Sequence, residues 1–250
     1  MLIKTSYRDV ETKADGCPGK MRIFVIEPNV PEYPEAKFPG CVVFSEIYQV
    51  TGPVERFASN IASEGYVVAL PSSFHEFEGP EPIPYDTEGT DRGNRYKVSY
   101  ISRSEADCQI EKTVEAYDEQ CAFDPRVLST FCYFATDVHS ATLGKGKKDD
   151  TLVRVKKGDL TGKGEVTLVF GKQDTHVDRA GRTLIRDTLD DAGVTLSAQH
   201  AFIRDESSKG RWDAALSRSL FAMMMESFTR CVARDLGKRV PTGGKVEHVC

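Results

Sequence analysis

Apolar and polar residues change rhythm several times along the chain, and each change marks a predicted element. SYRDVET (6–12) and MRIFVIEP (21–28) read as strands, separated by ADGCPGK, whose Gly and Pro residues mark a turn. In KFPGCVVFSEIYQ an apolar run at 41–44 follows Pro-Gly; four successive apolar residues fit a strand buried on both sides, as in a parallel sheet. Pro53 suits a first helical turn, and Val54, Phe57, Ala58 and Ile61 then recur at helical spacing. GYVVALPSSF (65–74) restarts strand structure. This alternation predicts a parallel sheet with helical crossovers.

Residues 75–104, with Pro80, Pro82, Pro84 and several glycines, read as one long irregular stretch of the kind that covers an active site. A helix follows over about 104–119, where Ser104 can cap and Ile110, Val114 and Tyr117 share a face. VLSTFCYFAT (127–136) and GEVTLVFG (164–171) read as buried strands, and AGRTLIRDTLDDAG (180–193) as an amphipathic helix ended by Gly193. VTLSAQ is a short strand. A last long helix spans roughly 213–235, and its run SLFAMMMESF is a core-packing stripe. The tail, GKRVPTGGKVEHVC, has no packing pattern, so the expected organisation is one domain over 1–236 and a flexible tail over 237–250.

Composition narrows the class. A chain of 250 residues buries a full core, and a net charge of −5 without a basic cluster gives no reason to expect nucleic acid. The lysines of GKGKKDD (144–150) are balanced by its aspartates and fit a solvated loop. No secretion-type apolar core opens the chain and no apolar run nears 18 residues, so the expected location is cytoplasmic, away from the membrane. Seven cysteines without a CxxC pair and five histidines without HExxH or HxH predict reduced thiols, no metal and no cofactor.

Two segments carry candidate chemistry. VTLVFGKQDTHVD puts Asp174 just past a strand, where parallel sheets place active sites. AQHAFIRDE puts His200 past a short strand, with Arg204 four residues on. An acid followed in chain order by a histidine is how α/β hydrolases supply an orienting carboxylate and a base. Asp174 can instead be a turn or capping aspartate, His200 a core or surface histidine, and His176 competes for the role of base. A metal site at this pair lacks a third ligand.

VVFSEIYQVTGPVERFASNIASEGYVVALP, CYFATDVHSATLGKGKKDDTL, LVFGKQDTHVDRAGRTLIRDTL and AQHAFIRDESSKGRWDAA together resemble the dienelactone hydrolase (carboxymethylenebutenolidase) family, in its fungal cytosolic branch. The resemblance implies a three-layer α/β-hydrolase fold with a mostly parallel sheet, and a Cys-His-Asp triad that opens small esters and lactones. By the matching phrases Asp174 is the acid, His200 the base, and Glu46 the glutamate beside the nucleophile. Ile47 N–H is then an oxyanion donor and Arg204 a contact for a substrate carboxylate.

The chain departs from that pattern at EAYDEQCAFDPRV. The family places a central strand and a Gly-x-Cys-x-Gly-Gly turn between segments that here meet at Glu119–Gln120, and roughly thirty residues are missing. A second, shorter gap precedes AQHAF. No G-x-S-x-G or G-x-C-x-G occurs in the chain. Cys121 lacks the flanking glycines a strained elbow needs, and Cys132 alternates inside a strand as a small core residue, so no nucleophile is assigned. The sequence thus predicts an α/β-hydrolase fold shortened by one central strand-elbow-helix segment, with little or no activity. A non-catalytic or truncated member that binds a small acidic ligand is the alternative. The expected partner is a small ester or lactone bearing a carboxylate, and the expected state a monomer or weak dimer. A sheet that loses a central strand must close up or carry two new edges.

Overall fold

The computed structural model describes residues 1–14, 17–104, 123–135, 138–139, 151–156, 165–172, 174–189, 193–196, 203 and 212–232. Among these residues the strands form two sheets, where the sequence predicts one. The first has the order β1-β2-β4-β3, from β1 (Ile3–Ala14), β2 (Cys17–Pro28), β3 (Gly40–Val42) and β4 (Val67–Pro71). The second has the order β5-β6-β7, from β5 (Ser129–Tyr133), β6 (Glu165–Gly171) and β7 (Gly193–Leu196).

The first sheet is mixed, while over both sheets three of the five described strand pairs are parallel. β1 and β2 pair antiparallel over their whole length, from Ile3 opposite Pro28 to Ala14 opposite Cys17. Strands joined by so short a connection have no room for a crossover, so they must run in opposite directions. β2 also lies antiparallel to β4, while β3 and β4 run parallel around the helix α1 (Gly52–Ser63), which opens with Pro53 in its first turn as predicted. The second sheet is parallel throughout. Among the described residues β3 pairs with β4 alone and β5 with β6 alone, so the strand ladder is broken between β3 and β5. Val42 on β3 is 55% exposed, although the sequence places it in a run buried on both sides.

Residues 87–104, expected to be irregular, form the helix α2 (Thr87–Ser104). Asp86 starts it, accepting the Gly89 N–H on Oδ1 at 2.7 Å. Among its described residues Gly89 and Gly93 are buried and Thr90 and Tyr96 half-buried, and glycines on that face hide the helical period from a hydrophobicity reading. The helix predicted over about 104–119 lies outside the described residues beyond Ser104, as does the tail. Further helices are α3 (Thr151–Lys156), α4 (Arg179–Leu189) and α5 (Ala214–Cys231). Asp213 caps α5 through the Leu216 N–H at 2.9 Å, close to the predicted start.

The core follows strand alternation. Cys132, Leu168 and Phe170 turn to one face of the second sheet, against Leu152 of α3 and Ile185 of α4. Val169 turns to the other, against Leu220 of α5. Val68 and Leu70 of β4 pack with Ala58 and Ile61 of α1 and with Met224 and Met225 of α5. The methionine stripe is therefore core, as its pattern predicts.

Candidate active site

Parallel pairing sets the carboxyl ends of β3 and β4 side by side, so the chain leaving β3 runs against the chain leaving β4. The first of these forms a turn at Glu46–Gln49, closed by the Gln49 N–H donating to the Glu46 carbonyl at 3.2 Å. Ile47 and Tyr48 pack beside Phe74, Ile83, Phe77 and Tyr96 in a small separate core. The Ile83 N–H donates to the Tyr48 carbonyl at 2.9 Å, and the Tyr48 and Thr90 hydroxyls are 2.9 Å apart. Among the described residues the Ile47 N–H donates to no acceptor.

The Tyr85 hydroxyl donates to Glu46 Oε1 at 2.8 Å and lies 2.6 Å from Thr51 Oγ1. A phenol has one proton. With it directed at Glu46, the Thr51 hydroxyl must donate to Tyr85, which gives the relay Thr51 to Tyr85 to Glu46.

Gln49 is the least expected member of this region. Its φ is 59°, a left-handed backbone that costs a non-glycine residue roughly 1–2 kcal/mol. Its side chain is fully buried, with Nε2 donating to the Gly79 carbonyl at 2.9 Å and the Glu81 carbonyl at 3.0 Å. Oε1 accepts the Phe74 N–H at 3.3 Å. Both amide hydrogens and the oxygen are thus used. Gly93 of α2 completes the enclosure, since a Cβ there would lie 3.2 Å from the Ile47 carbonyl carbon and nearer still to its oxygen.

Asp174 stands just past β6, where the sequence places it, and is 4% exposed. Its N–H donates to the Gly171 carbonyl at 3.2 Å. Its Oδ1 accepts the His176 N–H at 2.9 Å and lies 3.1 Å from His176 Nδ1. This is an Asx turn with the imidazole folded back on the same carboxylate. The structure therefore brings together Asp174 and His176, whose side chain is 55% exposed. His200 and Arg204, the predicted base and carboxylate contact, lie outside the described residues, as does Cys121. Glu46 and Ile47 leave the first sheet and Asp174 leaves the second.

Two of the described cysteines, Cys132 and Cys41, are not placed as nucleophiles. Cys132 is fully buried among Ala135, Leu152, Leu168 and Ile185, within β5 rather than at its end. Burial pushes the Cys41 thiol from its ordinary 9.0 up to about 12, which leaves it protonated and unreactive at neutral pH. Among the described residues no three His, Cys, Asp or Glu side chains gather as a metal site, and no helix is long and apolar enough to cross a membrane. Gln49, Tyr85 and Gly93 escape the sequence reading. A left-handed glutamine has no sequence signature, and Tyr85 and Gly93 sit in the stretch read as loop.

No protein-family model matches the sequence. A candidate carboxymethylenebutenolidase of Saccharomyces cerevisiae is 44% identical, with all of both chains covered. That alignment runs over 277 positions against 250 residues here, so at least 27 positions face a gap in this chain. Among solved structures, a candidate dienelactone hydrolase from Klebsiella pneumoniae superposes with a TM-score of 0.60 at 16% identity, covering 90% of this chain and 98% of its own. A dienelactone hydrolase-like promiscuous phosphotriesterase from metagenomic libraries gives 0.62 at 13% identity, covering 92% and 99%. These two share the α/β fold. On the strength of the yeast relative, the chain belongs to the carboxymethylenebutenolidase, or dienelactone hydrolase, family.

Proposed function

We propose that this chain is an ester- or lactone-hydrolase scaffold of the fungal branch of its family, with little or no turnover because its nucleophile elbow is absent. The observation that carries this reading is the broken ladder: the described strands part between β3 and β5. One inserted strand, with its elbow and helix, would account for both that break and the 27 or more unmatched positions in the yeast alignment. The seam at Glu119–Gln120 is where the sequence places the loss.

In this reading Asp174 fixes the tautomer and orientation of His200, and His200 takes the nucleophile's proton. Ile47 N–H receives the developing oxyanion, Arg204 holds a carboxylate on the substrate, and Glu46 manages the proton of a cysteine that is no longer present. Without a thiol no acyl-enzyme forms. Loss of a triad nucleophile leaves an acceleration of about 10³–10⁴ when the rest of the site survives. Here the oxyanion donor that follows the nucleophile goes with it, so the remainder is smaller. The fitting ligand is a small ester or lactone with a carboxylate, taken up by a cytoplasmic monomer or weak dimer. His176 is a second candidate for the base, favoured by its 3.1 Å approach to the Asp174 carboxylate.

Hydrolysis of aryl acetates and of a dienelactone, measured before and after thiol alkylation, tests this. The expected rates are slow and indifferent to alkylation. Insertion of the yeast relative's unmatched segment at Glu119–Gln120 should create a fast, alkylation-sensitive activity. A fast alkylation-sensitive rate in the unaltered chain, lost in Cys121→Ala, would show that Cys121 is the nucleophile and overturn the proposal.

A further inference from the structure

The Glu46–Gln49 turn is held more firmly than a connection between β3 and α1 requires. The Glu46 carbonyl and the Ile47 N–H belong to one planar peptide unit, so fixing the oxygen aims the N–H in the opposite direction. The group that fixes the oxygen is the Gln49 N–H, at 3.2 Å. The left-handed backbone at Gln49, φ 59°, sets that N–H relative to the residue's own side chain, so anchoring the side chain anchors the N–H. Glycine would adopt that φ without strain, so what glutamine adds here is its side chain. The carboxamide is buried and fully satisfied by the Gly79 carbonyl, the Glu81 carbonyl and the Phe74 N–H. The segment it grips also returns two bonds to the turn, from the Ile83 N–H to the Tyr48 carbonyl and from the Tyr85 hydroxyl to Glu46.

We infer that Gln49 is the positioning residue of this turn: its carboxamide locks the left-handed backbone that aims the Ile47 N–H, which has no acceptor among the described residues, at an anionic oxygen of a ligand. The ligand class is a tetrahedral oxyanion, or a carboxylate or phosphonate oxygen. The ligand part rests on the pocket proposed above; the positioning part does not.

Amide-resolved NMR of the full chain tests both parts, with methylphosphonate as the probe. In the wild type the Ile47 amide signal should move as methylphosphonate is added. Gln49→Gly relieves the backbone strain and removes the grip. In that variant the amide at position 49 should exchange at least about tenfold faster, and methylphosphonate should bind about tenfold more weakly, a change of about 1.4 kcal/mol. Ile61→Val, a core change remote from the turn, lowers stability but should leave both readouts at their wild-type values, which separates aiming from general loosening. If Gln49→Gly fails to fold, Gln49→Asn, which tolerates the left-handed backbone but is too short for all three partners, carries the same comparison. Wild-type exchange at position 49 in these variants overturns the positioning role. An Ile47 amide in the wild type that ignores methylphosphonate overturns the ligand part and, with it, the retained pocket.

Discussion

Gly93→Ala tests whether α2 and the Glu46–Gln49 turn form one rigid unit. An added Cβ at 93 meets the Ile47 carbonyl well inside contact distance, and lies 3.2 Å from both the carbonyl carbon and Ile47 Cβ. Two effects oppose each other. Alanine in a helix interior is favoured over glycine by roughly 0.8–1 kcal/mol. Overpacking against atoms that cannot swing aside costs about 1–3 kcal/mol. The obstructing atoms here are backbone and a β-branched side chain, and Ile47 is pinned further by the small core around Phe74 and Ile83. The cost should therefore fall in the upper part of that range, about 2–3 kcal/mol, and the clash should win with a net loss of about 1–2 kcal/mol.

Gly40→Ala is the matched control, because nothing lies within 4 Å of a Cβ built there. It should leave stability unchanged or raise it by up to about 1 kcal/mol. Urea unfolding of both variants, followed by far-ultraviolet circular dichroism, reads the difference directly from midpoints at equal slope. Gly93→Ala should also displace the Ile47 amide resonance, whereas Gly40→Ala should not. If Gly93→Ala matches or exceeds the wild-type midpoint, α2 is free to shift away from the turn, and the enclosure described above is not rigid.

Two further outcomes follow from the buried groups. Asp174→Ala removes the acceptor of the His176 N–H and should cost about 1–3 kcal/mol in urea unfolding, while Asp174→Asn keeps an oxygen acceptor and should cost less than about 1 kcal/mol. Equal losses in the two variants would mean that the acceptor is not what matters. A thiol raised from 9.0 to about 12 holds roughly a thousandfold less thiolate at any pH below 9, so native Cys41 should alkylate about that much more slowly than an exposed thiol. Its labelling, read by mass spectrometry, should rise about tenfold per pH unit and become fast only in denaturant; rapid labelling of the native protein at pH 8 would contradict the burial.

Much of this was legible in the sequence wherever burial imposes a period. The strands at 21–28, 65–74 and 164–171, the helix opened by Pro53 and the helix capped by Asp213 all lie close to their expected places. The place of Asp174 was legible for the same reason, as a carboxylate three residues beyond a strand. Two kinds of feature were not. α2 packs through Thr90, Gly93 and Tyr96, and a contact face built on a missing side chain has no hydrophobic period to detect. The direction of β2 against β4, and the hydrogen bonds that fix Gln49, depend on residues about 25 to 48 positions away, beyond any local pattern.

On the proposed reading, the break between the described strands bears on catalysis through distance as well as through a lost cysteine. Side chains span the break. Phe57 of α1 meets Tyr133 of β5 edge-on at 5.8 Å, and meets Phe221 of α5 at the same distance. The Tyr133 hydroxyl reaches Met224 Sδ at 3.9 Å, and the Ser129 and Ser227 hydroxyls are 3.0 Å apart. α5 thus covers both sheets, with Met224 and Met225 over the first and Leu220 over the second. Such contacts hold the halves together, but they do not fix register as a continuous strand ladder does. The Glu46–Gln49 turn hangs from the first sheet and Asp174 from the second, so among the described residues their spacing rests on α1 and α5. A misplacement of about 1 Å in a catalytic constellation can cost about a hundredfold in rate. On the proposed reading, then, a thiol placed near His200 by a single substitution would not rebuild the enzyme. Restoring activity requires the strand as well, because the strand that carries the nucleophile is also the one that sets the distance between the acid and the turn.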